Sequence, residues 1–193
     1  FYNNCIYLID SGAQYRDGTT DITRTIVLGN PTKEHKDRFT RVLKGHISIS
    51  ILSFKKNTKG SEIDYIARKS LKEIGCNYDH GTGHGIGSFL NVHEGPQRIS
   101  KISYHNEGEL RDGMILSNEP GFYKKNKYGI RIENLIIVKS KTKRLSEFET
   151  ISFAPIDREL IDLSILSKVE IDWIDQYHET VFKKLKNKLD LEE

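Results

Sequence analysis

The chain has 193 residues, 36% hydrophobic and 30% charged, a balance that excludes a disordered tract and suits one globular domain or a domain with an appendage. Its 30 basic and 27 acidic residues are interspersed and leave a net charge of only +3, so no nucleic-acid partner is expected. No apolar run approaches the ~20 residues of a membrane span. Cys5 and Cys76 stand in no metal-binding or redox spacing, which makes reduced thiols in a cytoplasmic protein the expectation. The chain opens on Phe1 without a Met, so the expectation is a natural start further upstream and a targeting signal that cannot be read.

In chain order, Cys5 to Asp10 reads as an apolar, buried strand. Arg16-Asp17-Gly18 is a turn signal, and Asp21 to Leu28, rich in Thr, Ile and Val, is a second strand. Pro31 breaks the run. A helix is predicted from Lys33 to about Phe54, with Phe39, Val42, Leu43 and Ile47 on one stripe. Ser61-Glu62-Ile63-Asp64 looks like a capping box for a second helix carrying Ile63, Ile66, Ala67, Leu71 and Ile74, which Gly75 stops. From His80 to Gly87 every second residue is glycine or lies between glycines, which disfavours helix and predicts an extended strand with one bare face. Residues 95–113 read as loop. Met114–Tyr123 and Tyr128–Val138 are predicted strands of a hairpin around 124–127.

That order is α+β. Two units are expected, one over 1–150 and an extension over 151–193. The extension carries a second capping box, Ser167-Lys168-Val169-Glu170, a staple from Leu166 to Ile171, and a stripe of Val169, Trp173, Tyr177, Val181, Leu185 and Leu189.

Several acidic residues and histidines could form a site. Asp10 ends an apolar strand, where it is either a turn residue or a paired carboxylate. With a two-residue turn at Asp17-Gly18, Asp10 and Asp21 would share a face but sit four residues out of register, roughly 13 Å apart. Glu119 and Glu133 lie symmetrically about Asn126, which places them opposite each other across the hairpin. They are either a cation site, since opposed carboxylates repel, or a solvent-facing pair on an edge. Arg131 shares the face of Glu133 and could neutralise a carboxylate. His80 and His84, spaced like a zinc helix, would be too far apart in a strand to share an ion, so at most one is a ligand. His93 follows just beyond. The glycine spacing fits neither a phosphate-binding loop nor a dinucleotide fingerprint, and there is no GxSxG elbow. Two Asp, two Glu and one His would suit a hard to borderline divalent ion such as Mn, Co or Zn.

Six runs carry a resemblance. Asp10-Ser11-Gly12-Ala13-Gln14-Tyr15, Asp21-Ile22-Thr23-Arg24-Thr25, His80-Gly81-Thr82-Gly83-His84-Gly85, Val92-His93-Glu94-Gly95-Pro96, Asn118-Glu119-Pro120-Gly121 and Gly129-Ile130-Arg131-Ile132-Glu133-Asn134 resemble the Xaa-Pro aminopeptidases, most closely their larger cytosolic branch. The resemblance covers nearly the whole chain. It implies the pita-bread (creatinase/aminopeptidase) fold, N-terminally incomplete here. It implies two divalent metal ions, manganese first with cobalt or zinc as alternatives. Asp10 would bind one ion, Asp21 and Glu133 would bridge both, and His84 and Glu119 would complete the second site. A bridging hydroxide would attack the bond before proline, with Glu119 as general base, His93 stabilising the oxyanion, His80 lining the proline pocket and Arg131 steadying the carboxylates. The implied partners are peptides with an Xaa-Pro N-terminus and a second copy of the chain as homodimer, with no membrane. Prolidase, methionine aminopeptidase or a non-catalytic scaffold of the same fold are the alternatives.

Overall fold

The computed structural model describes residues 4–88, 91–102 and 107–189. Residues 1–3 and 190–193 of the two expected units, and 103–106 of the expected loop, lie outside them. Two long strands open the chain, β1 (Cys5–Tyr15) and β2 (Gly18–Leu28), paired antiparallel as a two-stranded sheet. β1 runs past the expected end at Asp10 and is not buried, with Tyr7 and Ile9 exposed. A two-stranded ribbon covers only one edge of each strand, which leaves these apolar side chains partly in solvent. The turn falls at Arg16-Asp17, one residue earlier than expected. Thr23 therefore pairs with Asp10, and Asp21 with Gly12. The offset between the two aspartates shrinks from four residues to two, roughly 7 Å along the ribbon. No bulge is needed to bring them near each other.

Helix α1 spans Lys33–Ser50, with Thr32 and His35 closing a capping box at its start. Phe39, Val42, Leu43 and Ile47 are buried as the stripe predicts. The helix stops short of Phe54 because Ser53–Lys55 forms a strand of its own, β3. α2 (Asp64–Lys72) crosses α1 so closely that a Cβ on Gly45 would lie 2.2 Å from the Ala67 carbonyl oxygen. The expected capping box at Ser61 does not form. A 3-10 turn covers Gly60–Glu62, and Ser61 gives both its N–H and its hydroxyl to Glu107. Asp64 is instead buried in an ion pair with Arg68.

Only Gly83–His84 of the expected glycine strand is regular; this is β4, paired with β5 (Arg98–Ile99) inside the expected loop. The two predicted hairpin strands are each broken once. β6 (Ile115–Asn118) and β7 (Gly121–Lys124) are separated by Glu119-Pro120, and β8 (Tyr128–Arg131) and β9 (Asn134–Ser140) by Ile132-Glu133. The loop is odd and centred on Asn126, whose φ of 58° is left-handed. β9 also pairs with β10 (Leu145–Thr150), giving a four-stranded sheet in the order β3-β10-β9-β6. The order remains α+β.

One apolar core joins α1 to the β7–β8 hairpin and to the last helix, α3 (Lys168–Leu185); a second joins α1 and α2 to the four-stranded sheet. The capping box at Ser167 and Glu170 forms as expected. The buried face of α3 is Ile174, Tyr177 and Val181, each side chain contributing roughly 1.5–3 kcal/mol by burial. Trp173, Tyr177, Val181 and Leu185 of the expected stripe pack into the first core, joined there by Ile174, and the two ends of the stripe do not. Val169 and Leu189 are exposed, and Trp173 is half-buried, stacked on Tyr177 of its own chain at 5.1 Å between ring centroids.

Candidate metal centre

Asp21, His84 and Glu133 converge. Each offers one ligand atom, and these atoms all lie within 4.8 Å of one another. Three separate elements deliver them. Asp21 is the first buried residue of β2. His84 comes from β4, where Gly83 allows the approach: a Cβ there would sit 2.0 Å from the Ser117 carbonyl oxygen. The His84 Nδ1 donates to the Gly85 carbonyl at 3.0 Å, which turns Nε2 towards Asp21 Oδ2 at 3.5 Å and Glu119 Oε1 at 3.3 Å. That is the usual way a ligating imidazole is oriented.

Glu133 sits in the break between β8 and β9. Its N–H goes to the Thr23 carbonyl at 3.1 Å, and its Oε2 accepts the Thr23 hydroxyl at 2.6 Å. Glu119 sits in the facing break, with its N–H on the Thr82 carbonyl at 2.7 Å and its Oε1 accepting the Ser117 hydroxyl at 3.1 Å. Asp10 is the fifth expected ligand, and it does not join the cluster. It lies at the exposed rim, where its Oδ2 accepts from Arg131 Nη2 at 2.5 Å. The Arg131 guanidinium attracts this carboxylate, whereas the neighbouring carboxylates repel it. Arg131 also gives Nε to the Thr23 hydroxyl at 3.1 Å and lies 3.8 Å from Glu119 Oε2, within reach of two of the expected carboxylates.

The other two histidines flank the cluster. His93 packs edge-on against His84, ring centroids 4.1 Å apart, and lines a groove of about 360 Å³ with Asp10 and Asp21. His80 lies on the other side, its Nε2 bonded to the Tyr123 hydroxyl at 2.8 Å and its ring against Tyr78. Tyr123 also accepts from Arg131 Nη1 at 2.9 Å. It had no signal of its own in the sequence. Its place two residues beyond Gly121, in register with the bare Gly129, could have suggested an aromatic on the face of Arg131.

The electrostatics fit a cation. Burial pushes the Glu119 carboxyl up to about 7 against the pull of His84 and Arg131. Burial, then the nearby charge of Glu119, pushes Glu133 up to about 8, with Asp21 and Asp10 adding to it. Burial alone would lower His84, yet its bonds to Asp21 and Gly85 and the charge of Glu119 leave it raised. Crowded, desolvated carboxylates beside an oriented imidazole are a donor set for a divalent ion. The residues present therefore fit the metal that the resemblance implies.

Two supporting residues were not singled out from the sequence. Arg24, inside a quoted run, is a buried cation held by backbone carbonyls. Thr23 joins Glu133 to Arg131. Both owe their role to contacts more than a hundred residues away in the chain, which no local pattern carries.

Residues 1–140 match Metallopeptidase family M24, and residues 144–193 match the C-terminal region of peptidase M24. The chain is 48% identical over 185 residues to Xaa-Pro aminopeptidase 1 of Dictyostelium discoideum, covering 93% of this chain and 30% of that protein. The solved X-prolyl aminopeptidase of Caenorhabditis elegans, described as a cytosolic enzyme with a di-nuclear active site, superposes with a TM-score of 0.89 at 43% identity, over 94% of this chain and 30% of that one. An Xaa-Pro dipeptidase from Bacillus anthracis superposes with a TM-score of 0.67 at 32% identity, over 79% and 40%. The chain thus spans about 30% of the length of the curated relative it matches. By these matches and by its architecture, the chain belongs to metallopeptidase family M24 and has the pita-bread fold of that family.

Proposed function

We propose that this chain carries the metal centre of a cytoplasmic Xaa-Pro aminopeptidase, which removes the first residue from peptides with proline in second position. The observation that carries the reading is the convergence of Asp21, His84 and Glu133, with Glu119 against His84, in a chain 48% and 43% identical to the two Xaa-Pro aminopeptidases above and 32% identical to the dipeptidase. Asp21, Glu133, His84, Glu119 and Asp10 would hold two divalent ions, manganese by preference. Bound there, the ions would supply an activated water and polarise the scissile carbonyl.

The remaining steps belong to side chains. Glu119 Oε1 accepts a proton during attack and passes it to the leaving imino nitrogen of proline. His93, at the groove, donates to the developing oxyanion. His80, held through Tyr123 and Tyr78, borders the pocket for the proline ring. Arg131 keeps Asp10 and Glu119 apart in charge and fixed in place. In this reading residues 1–150 are the catalytic part and 151–193 an extension that pairs two copies of the protein. Trp173, the aromatic expected to anchor that pairing, stacks on Tyr177 of its own chain, so the contact is assigned to the exposed Val169 at the start of α3. Sedimentation of the full-length protein at micromolar concentration tests the pairing; a monomer there refutes it.

The experiment for the activity is a panel of Xaa-Pro, Xaa-Ala and Met-Ala peptides, each as a dipeptide and a longer peptide, given to the full-length protein with manganese. Release of the first residue from both lengths of Xaa-Pro alone supports the proposal. Cleavage of dipeptides only is the dipeptidase outcome, cleavage of Met-Ala the methionine aminopeptidase outcome, and either contradicts it.

A further inference from the structure

Arg24 projects from β2 to the back of the metal centre and is 8% exposed. Nη1 donates to the Glu133 carbonyl at 2.6 Å and the Thr23 carbonyl at 2.8 Å. Nε donates to the Pro155 carbonyl at 2.8 Å. Nη2 donates to the Ala154 carbonyl at 2.8 Å, to the Tyr177 hydroxyl at 2.8 Å and to Asn134 Oδ1 at 3.3 Å. The guanidinium therefore works as a rigid fork, with one prong on the backbone of Thr23 and Glu133 and the other on the extension.

Tyr177 closes the arrangement from α3. Its hydroxyl also accepts from Asn134 Nδ2 at 3.0 Å and donates to the Ala154 carbonyl at 2.9 Å. Asn134 is the residue after Glu133. The Tyr177 ring is packed between Trp173 and Phe153, with stacked geometry on both. This matters because Glu133 stands in a gap between two ladders, where its N–H goes to the Thr23 carbonyl of β2 and its own carbonyl is left for another donor. Its carbonyl is fixed by Arg24, and its neighbour Asn134 by Tyr177. A small rotation of this backbone would carry the carboxylate away from Asp21 and His84.

We propose that Tyr177 in the C-terminal extension, acting through Arg24 and Asn134, is a positioning residue for the Glu133 carboxylate, so that the extension forms part of the metal centre. This rests on the reading of Glu133 as a metal ligand. The tail and the site share one hydrogen-bonded network, and the hydroxyl of one tyrosine joins them.

The test is calorimetric titration of manganese into full-length wild type, Tyr177→Phe and Val181→Ala, with melting temperatures and with kcat and KM on an Xaa-Pro peptide. Tyr177→Phe keeps the stacked ring and removes only the hydroxyl. Val181→Ala opens the same buried face of α3 outside the network. Tyr177→Phe is expected to weaken manganese binding by about tenfold or more and to lower kcat with little change in KM. Val181→Ala is expected to lower the melting temperature at unchanged manganese affinity. Arg24→Lys, which keeps the charge but not the fork, should reproduce the loss of affinity and serves in place of Tyr177→Phe should that variant not fold. Wild-type affinity in the folded hydroxyl or fork variant, or an equal loss in Val181→Ala, overturns the inference and leaves the metal centre standing. A wild type that binds no manganese overturns both.

Discussion

Glu119 and Glu133 face each other in the same register as the strand pairs on either side of them, Asn118 with Asn134 and Gly121 with Arg131, yet neither bonds to the other. Their N–H groups leave the hairpin altogether, one for Thr82 and one for Thr23. Breaking the ladder at this one position ties the hairpin to β2 and to the glycine-rich segment. It brings Asp21 and His84 to the two glutamates and concentrates negative charge where burial already disfavours it.

The division of labour among the histidines is open to direct test. His84 has its Nε2 in the carboxylate cluster, whereas His93 faces the groove. His84→Ala should abolish tight manganese binding. His93→Ala should keep the metal and lower turnover by roughly 10²-fold, as loss of an oxyanion donor does. Metal analysis of both purified variants decides it, and loss of metal from His93→Ala contradicts the assignment.

The hydroxyl is the part of Thr23 that a substitution can remove, since its carbonyl bonds to Glu133 and Arg24 belong to the backbone. The 2.6 Å bond to Glu133 Oε2 holds that carboxyl down against burial and its acidic neighbours. Thr23→Val keeps the shape and removes the bond, so manganese affinity should fall by about tenfold. An unchanged titration curve would show that the bond does not orient the ligand.

His46 should give the fold an acid-sensitive limb. It is fully buried, its Nδ1 bonds to the Asn118 carbonyl at 3.1 Å and its ring stands edge-on to Trp173. Burial, and then the charge of Arg24, lowers its pKa from 6.5 to about 3. Between those two values the unfolded chain binds one more proton than the folded one. The contribution is therefore complete above pH 6.5 and is lost progressively as pH falls towards 3, by about 1.4 kcal/mol per pH unit. Urea unfolding of wild type and His46→Asn from pH 4.5 to 7.5 should show the difference between them changing with that slope below 6.5 and level above it. A difference independent of pH would contradict this.

The sequence carried the parts of the fold that local periodicity controls. The stripe of α1, the hairpin centred on Asn126 and the capping box at Ser167 all formed. It failed where a long-range contact outweighed the local pattern. Ser61 gave up a capping role for Glu107, and the glycine-rich strand shrank to two residues because its glycines serve close approaches to Ser117 and Glu94 rather than a long ladder. A single-residue error in the β1–β2 turn doubled the apparent offset of Asp10 and Asp21, since each residue of shift in a hairpin turn changes the register by two. The opposition of Glu119 and Glu133 could be read from symmetry alone. That Arg131 pairs with a carboxylate could be read as well, but not that Asp10 would be the one, because that depends on which of several nearby charges lies within reach.

The most direct test of the metal centre is to strip full-length protein with a chelator, return manganese in measured amounts, and follow both bound metal per chain and release of the first residue from an Xaa-Pro peptide. The account predicts no turnover in the stripped protein and activity that rises to a plateau at two ions per chain. Full turnover by protein that holds no metal would contradict it.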